Sequence, residues 1–107
     1  MRLKANVTGK FIPEPWSKLG LAMRTLGLEP INGLRHPPEG DSNGWYVWCG
    51  DTFSEEDDFF EPLHIEHIDD YLPSVRKYLD LPPGWRFQID SEGYEDVWFD
   101  GSLVELK

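Results

Sequence analysis

The sequence predicts a single α+β domain over residues 1–107, in which a mainly antiparallel sheet ends in a C-terminal β-hairpin and packs against two or three helices. Two observations predict the strands. Residues 44–50 place five aromatic, β-branched or thiol side chains between two glycines, and residues 85–90 alternate between apolar and polar side chains. The third observation predicts the helices, because apolar side chains recur at helical spacing over residues 16–26 and again over 65–79.

The first elements are a predicted edge strand and a predicted helix. Residues 3–12 begin with alternating apolar side chains, and Pro13 and Pro15 end this strand because proline has no N–H to donate to a sheet. The apolar positions then follow a helical period, which predicts a helix over residues 16–27. Gly20 inside that helix is unfavourable by about 1 kcal/mol relative to Ala, which indicates a close approach to the sheet.

A central strand is predicted at residues 45–49. Side chains along a strand alternate between the two faces of a sheet. Trp45, Val47 and Cys49 would therefore share one face, while Tyr46 and Trp48 share the other. Because neither set is polar, the strand is either covered on both sides or covered on one side with an aromatic pair left for a partner.

The remaining segments predict turns, loops, helices and a hairpin. Asn32–Gly33 is typical of a tight turn, residues 36–44 have the composition of a loop, and the acids at 55–58 predict an exposed loop. Pro62 favours an edge strand or an extended connection. The other predicted elements are helices over 65–72 and 74–80 separated by Pro73, a hairpin formed by 85–90 and 94–99, and a short last strand over 103–106.

Negative charge is concentrated in the middle of the chain. The net charge is −10, and residues 36–75 contain eleven acidic residues and no Lys or Arg. This block would repel a phosphate backbone, so we expect no nucleic-acid partner, and it would attract a basic protein. The alternative is a merely solvated surface. The single cysteine and the absence of a long apolar run predict a cytoplasmic protein with no membrane partner, and the oligomeric state stays open.

Three groups of side chains are candidates for catalysis or metal binding. His64 and His67 have the spacing of a pair on one helix face, but no third metal ligand stands at a recognisable interval. Cys49 ends an apolar strand in an acid-rich region, which disfavours the thiolate and favours burial. The numerous carboxylates give no specific signal for glycoside hydrolysis. We therefore expect no catalytic residues, no metal and no cofactor.

Aromatic and acidic side chains stand close together in the sequence and predict a partner-binding surface. Tyr and Trp are enriched at protein interfaces, and carboxylates beside them would attract a basic partner. The alternative is that a helix covers this strand face and that the aromatic rings belong to the core. The candidate partner-binding residues are Tyr46, Trp48, Glu55, Glu56, Asp57 and Asp58.

Three blocks of the sequence resemble a family of small bacterial proteins. The blocks are residues 44–50, residues 57–64 and the pair 81–87 with 93–98. The family comprises the immunity-protein domains of polymorphic toxin systems, of the type numbered thirty-three. The resemblance implies a non-catalytic protein that binds and neutralises a cognate toxin. A small-molecule-binding or regulatory module, with an aromatic-lined pocket under the hairpin, is the alternative, and an unrecognised hydrolase is a third reading.

Overall fold

A six-stranded sheet organises the chain in the computed structural model, which describes residues 10–51, 56 and 58–104. The strand order is β4-β1-β3-β2-β5-β6, and every neighbouring pair is antiparallel except β1 and β3. The helices of the described residues are short 3-10 helices. The strands are β1 (Lys18–Leu21), β2 (Ile31–Arg35), β3 (Ser42–Cys49), β4 (Glu61–His64), β5 (Trp85–Ile89) and β6 (Glu95–Phe99), and the 3-10 helices are Met23–Thr25, Ile65–Asp70, Pro73–Tyr78 and Gly101–Leu103.

The predicted fold class is confirmed. The sheet is mainly antiparallel, β5 and β6 form the C-terminal hairpin, and the predicted central strand at 45–49 lies within β3. Pro62 lies in β4 at the sheet edge, where its missing N–H costs no ladder hydrogen bond on the open side.

The predicted helix over 16–27 is wrong. Residues 18–21 form β1, which pairs with both β3 and β4, and only residues 23–25 are helical. Leu19 and Leu21 are both buried, a spacing of two that the helical pattern concealed, whereas Trp16 is 58% exposed. Pairing on both sides of β1 thus outweighs the helical spacing of the apolar residues.

Three further predictions need correction. Asn32–Gly33 lies inside β2 and not in a turn. The helices predicted over 65–72 and 74–80 are 3-10 helices, and Pro73 begins the second one because its fixed φ suits a first helical position. The predicted last strand begins instead as the end of a 3-10 helix at residue 103, and residues 105–107 lie outside the described residues, as do residues 3–9 of the predicted edge strand.

The sheet separates two apolar clusters, and its two sides are covered very differently. The first face carries Trp45, Val47 and Phe87, and the 3-10 helices Ile65–Asp70 and Pro73–Tyr78 close it. The second face carries Leu34, Tyr46 and Trp48, which pack with Ala22, Phe59, Phe60 and Leu103. Among residues 10–51, 56 and 58–104, the second face is therefore covered by side chains from loops and short turns.

Arg35 fastens the irregular segment around Phe11 to the body of the protein. It is 1% exposed and donates hydrogen bonds to four carbonyl oxygens, those of Asn43, Phe11, Leu79 and Leu81. Burial lowers the pKa of Arg35 to about 10, and the charge of Asp80 opposes this shift. The guanidinium therefore stays charged at neutral pH and holds the end of β2, from which the loop at 36–41 starts.

Candidate partner-binding surface

The ring of Tyr46 is fixed on the second face of the sheet. It lies over Gly20, its cross-strand neighbour on β1, so closely that a Cβ atom at residue 20 would lie 2.9 Å from Tyr46 Cδ2. The rings of Phe60 and His36 meet it edge-on, with centroid distances of 5.1 and 5.6 Å. Gly20 was predicted to mark the close approach of a helix to the sheet, but it lies in β1 itself, and its close neighbour is the ring of Tyr46 from β3.

Grooves run along both sides of the Tyr46 ring. The first, of about 520 Å³, lies between the ring and the loop that follows β2, and the second, of about 360 Å³, lies between the ring and the β1–β4 edge. Both volumes are in the range that holds small ligands or side chains of a partner. The first groove is lined by His36, Pro37, Pro38, Glu39, Ser42, Gly44 and Tyr46, and the second by Lys18, Leu19, Gly20, Asp41, Ser42, Tyr46, Phe60 and Pro62.

Hydrogen bonds hold the loop that walls the first groove. The backbones of Glu39 and Ser42 bond to each other in both directions, at 3.0 and 2.9 Å, and the His36 N–H donates to the Gly44 carbonyl at 2.8 Å. Gly44 has a φ of +92°, and a Cβ there would overlap the His36 carbonyl. The carboxylate of Glu39 thus projects from a loop whose position relative to Tyr46 is set.

Arg24 ties the acidic segment to the body of the protein. Its guanidinium lies 3.2 Å from Glu56 Oε1 and 3.3 Å from Asp58 Oδ1, and it stands over the ring of Phe59. Glu55 and Asp57 lie outside the described residues. Glu56 and Asp58 are thus engaged by a basic side chain at a surface where Arg24 itself is half-exposed.

Trp48 and Tyr46 share a face, as their alternation predicts, but they differ in exposure. Trp48 is 6% exposed and packs edge-on against Phe60, with ring centroids 6.2 Å apart. Its ring therefore supports the surface from beneath, and little of it is left for a partner. Tyr46 is half-buried and lines both grooves, so contact area on this face comes from Tyr46.

The candidate catalytic and metal-ligating residues do not form a site. Cys49 is buried, and burial raises the pKa of its thiol, which disfavours the reactive thiolate. The rings of His64 and His67 lie 6.3 Å apart. Among residues 10–51, 56 and 58–104, no group of three or more His, Cys, Asp or Glu side chains is placed to hold a metal ion.

An open cleft of about 540 Å³ lies beside the hairpin, between the 3-10 helix Pro73–Tyr78 and the start of β6. Tyr78 donates a hydrogen bond to Glu95, and burial, followed by this bond and the charge of Glu95, raises the pKa of Tyr78. Arg76, Lys77 and Asp90 also line the cleft. The cleft is thus bordered by charged side chains and open to solvent, whereas a dedicated small-molecule pocket is enclosed.

Sequence reasoning missed the walls of the Tyr46 grooves. His36, Glu39 and Gly20 come from three separate segments, and no local pattern connects them to residue 46. The one available signal was Gly20, whose cost in a regular element indicated a close neighbour.

The family model described as Imm33-like domain matches residues 3–100. The chain belongs to this family. The match confirms the resemblance that residues 44–98 carry, and it extends it over nearly the whole chain. No curated protein and no solved structure matches this Imm33-like chain. In the described part of the chain, every helix is too short or too polar to cross a membrane.

Proposed function

We propose that this Imm33-like chain is a non-catalytic immunity protein that neutralises a basic bacterial toxin by covering it with the surface around Tyr46. The family name supports binding of a protein such as a toxin. The acidic block at 36–75 supports a basic partner, since complementary charge accelerates association and excludes wrong partners.

The observation that carries the proposal is the half-buried ring of Tyr46, which lies between two grooves on the second face of the sheet. A rigid aromatic side chain loses little conformational entropy on binding. Most of the favourable free energy of burying it is therefore retained as affinity. Grooves on both sides of the ring give the partner places to insert side chains. Trp48, beneath this surface, keeps it rigid.

Charge around the ring supplies steering. Glu39 and Asp41 line the grooves, and Glu56 and Asp58 stand where Phe59 and Phe60 cover Trp48. These carboxylates are exposed, so each contributes little affinity by itself. Together they create a negative field that draws a basic partner toward Tyr46. In the sequence, Glu55 and Asp57 add to the negative charge of the same segment.

The test uses a cognate toxin domain, which is to be sought among the genes that neighbour this one. Co-expression of this chain is expected to restore growth of cells that make the toxin. The association rate of the two purified proteins is expected to fall about tenfold or more between about 10 mM and about 150 mM salt, because salt screens the steering charges. Failure to protect the cells, or an unchanged rate, would contradict the proposal.

A matched pair of variants locates the contact. Asp58 pairs with Arg24 at 3.3 Å and Asp69 pairs with Arg76 at 3.2 Å, so Asp58→Asn and Asp69→Asn remove the same charge and an equivalent ion pair. Asp69 belongs to a helix that covers the first face. Asp58→Asn is expected to slow association at low salt about twofold more than Asp69→Asn does. Equal rates for the two variants would place the contact elsewhere.

A further inference from the structure

The first groove beside Tyr46, between its ring and Glu39, differs from the second groove in its charge. Asp41 lines the second groove but lies 3.3 Å from Lys18, which lines it as well. The first groove is lined by Glu39, which is exposed, and none of the described residues lining it is Lys or Arg. The acidic residue of the second groove therefore has a cation beside it, whereas Glu39 has no Lys or Arg among the described residues that line its groove.

The walls of the first groove combine the rings of Tyr46 and two prolines with polar side chains. The Tyr46 ring forms one wall, and Pro37 and Pro38 belong to the opposite loop. An arginine guanidinium is planar, stacks on aromatic rings and pairs with a carboxylate through two parallel N–H groups. Lysine carries a compact, strongly hydrated charge and has no planar surface to stack.

We infer that the first groove is a binding site for an arginine side chain of the partner, which stacks against the Tyr46 ring and pairs with the Glu39 carboxylate. This inference rests on the proposed function for its biological partner, and it names the side chain that this surface recognises. The mutual backbone hydrogen bonds of Glu39 and Ser42 fix the backbone from which the Glu39 side chain extends. The loop backbone and the Tyr46 ring are thus pre-organised, which reduces the entropy lost on binding.

The experiment uses short capped peptides and does not require the toxin. Isotope-labelled protein is titrated with acetyl-Ala-Arg-Ala-amide at low salt and followed by NMR. Matched peptides carry citrulline, which keeps the planar group without its charge, or lysine, which keeps the charge without the plane. We expect saturable shifts confined to the amides of residues 36–46 for the arginine peptide, weaker binding of the lysine peptide by about threefold, and no saturable binding of the citrulline peptide.

Two variants of equal charge change serve as probe and control. Glu39→Gln and Glu92→Gln each neutralise one exposed carboxylate, and Glu92 lies at the tip of the hairpin, away from the groove lining. Glu39→Gln is expected to weaken binding of the arginine peptide about threefold or more, and Glu92→Gln to leave it unchanged. Amide spectra of the free variants, matching those of the unmodified protein, show that both are folded.

Shifts that spread over the acidic surface without saturating, or equal losses in the two variants, would overturn the inference. Its failure is distinguishable from failure of the proposed function. If the toxin binds the Glu39→Gln variant as well as the unmodified chain, the arginine site is refuted and the immunity function still stands. If the arginine peptide binds saturably but the chain does not protect cells from the toxin, the site stands and the immunity function is refuted.

Discussion

On each face of the sheet, an aromatic ring lies over a glycine of the neighbouring strand, but the two rings differ in exposure. On the first face the Phe87 ring lies over Gly33, its cross-strand neighbour, and on the second the Tyr46 ring lies over Gly20. In each pair a glycine without a Cβ lets an aromatic ring come close to the backbone of the next strand. Phe87 is then sealed under 3-10 helices, whereas Tyr46 remains partly exposed between two grooves.

This difference in exposure predicts that substitutions on the two faces affect different properties, stability on the first face and partner binding on the second. A Cβ at Gly33 would lie 2.2 Å from the Phe87 ring, which is packed against Trp45 and stacked on Tyr78 and has nowhere to move. A Cβ at Gly20 would lie 2.9 Å from a ring that borders open space. Changes on the first face should therefore reduce the free energy of unfolding, and changes on the second should act on binding.

The largest effect is expected for Gly33→Ala. Neither Gly33 nor Gly20 has a positive φ, so alanine is compatible with both backbones and the effect is steric. Displacing Phe87 from a close-packed core is expected to lower the free energy of unfolding by about 3 kcal/mol, measured by urea denaturation. A loss below about 1 kcal/mol would mean that the first face is loosely packed.

Sequence patterns predicted β3 and the C-terminal hairpin, and missed both β1, whose apolar positions imitate a helical period, and β2. Residues 45–49 form a continuous apolar run and residues 85–90 alternate between apolar and polar side chains, and the structure confirms both strands. In β1 only residues 18–21 are extended, too few for a period of two to stand out against Trp16, Met23 and Leu26. Its pairing with β3 is set by residues more than twenty positions away, which no local pattern contains.

Gly33 explains a second error. Asn32–Gly33 is typical of a tight turn, but here the glycine makes room for a ring and the amide of Asn32 donates to the carbonyls of Trp48 and Gly50. Distant strand pairing also limits what could be predicted of the candidate surface. Tyr46 could be predicted as a contact residue, but its neighbours Gly20, His36 and Glu39 are brought to it only by strand order.

The second-largest loss of stability is expected when a polar contact at the border of the first face is removed. Tyr78 stacks on Phe87 and donates a hydrogen bond to Glu95. Tyr78→Phe keeps the ring and removes this bond, so we expect a loss of about 1.5 kcal/mol at neutral pH. Burial and Glu95 raise the pKa of Tyr78 above its value in the unfolded chain, so this contribution is present below about pH 10 and is lost as the pH rises further.

Urea midpoints between about pH 8 and about pH 11 test this dependence. Above about pH 10 the folded protein holds the Tyr78 proton more tightly than the unfolded chain, so stability falls with rising pH. The stability of the Tyr78→Phe variant is expected to fall less steeply over this window. Identical slopes for the two proteins would show that folding does not raise the pKa of Tyr78.

The smallest effect on stability, and the sharpest test of the comparison, is expected for Gly20→Ala. The added Cβ pushes the Tyr46 ring toward the open grooves, at a cost of about 1 kcal/mol in the free energy of unfolding. The ring then stands in the space that a partner would occupy. The loss in binding free energy of the arginine peptide should therefore exceed the loss in the free energy of unfolding. If Gly20→Ala instead lowers the free energy of unfolding as much as Gly33→Ala and leaves peptide affinity unchanged, the second face is a core surface like the first, and the partner binds elsewhere.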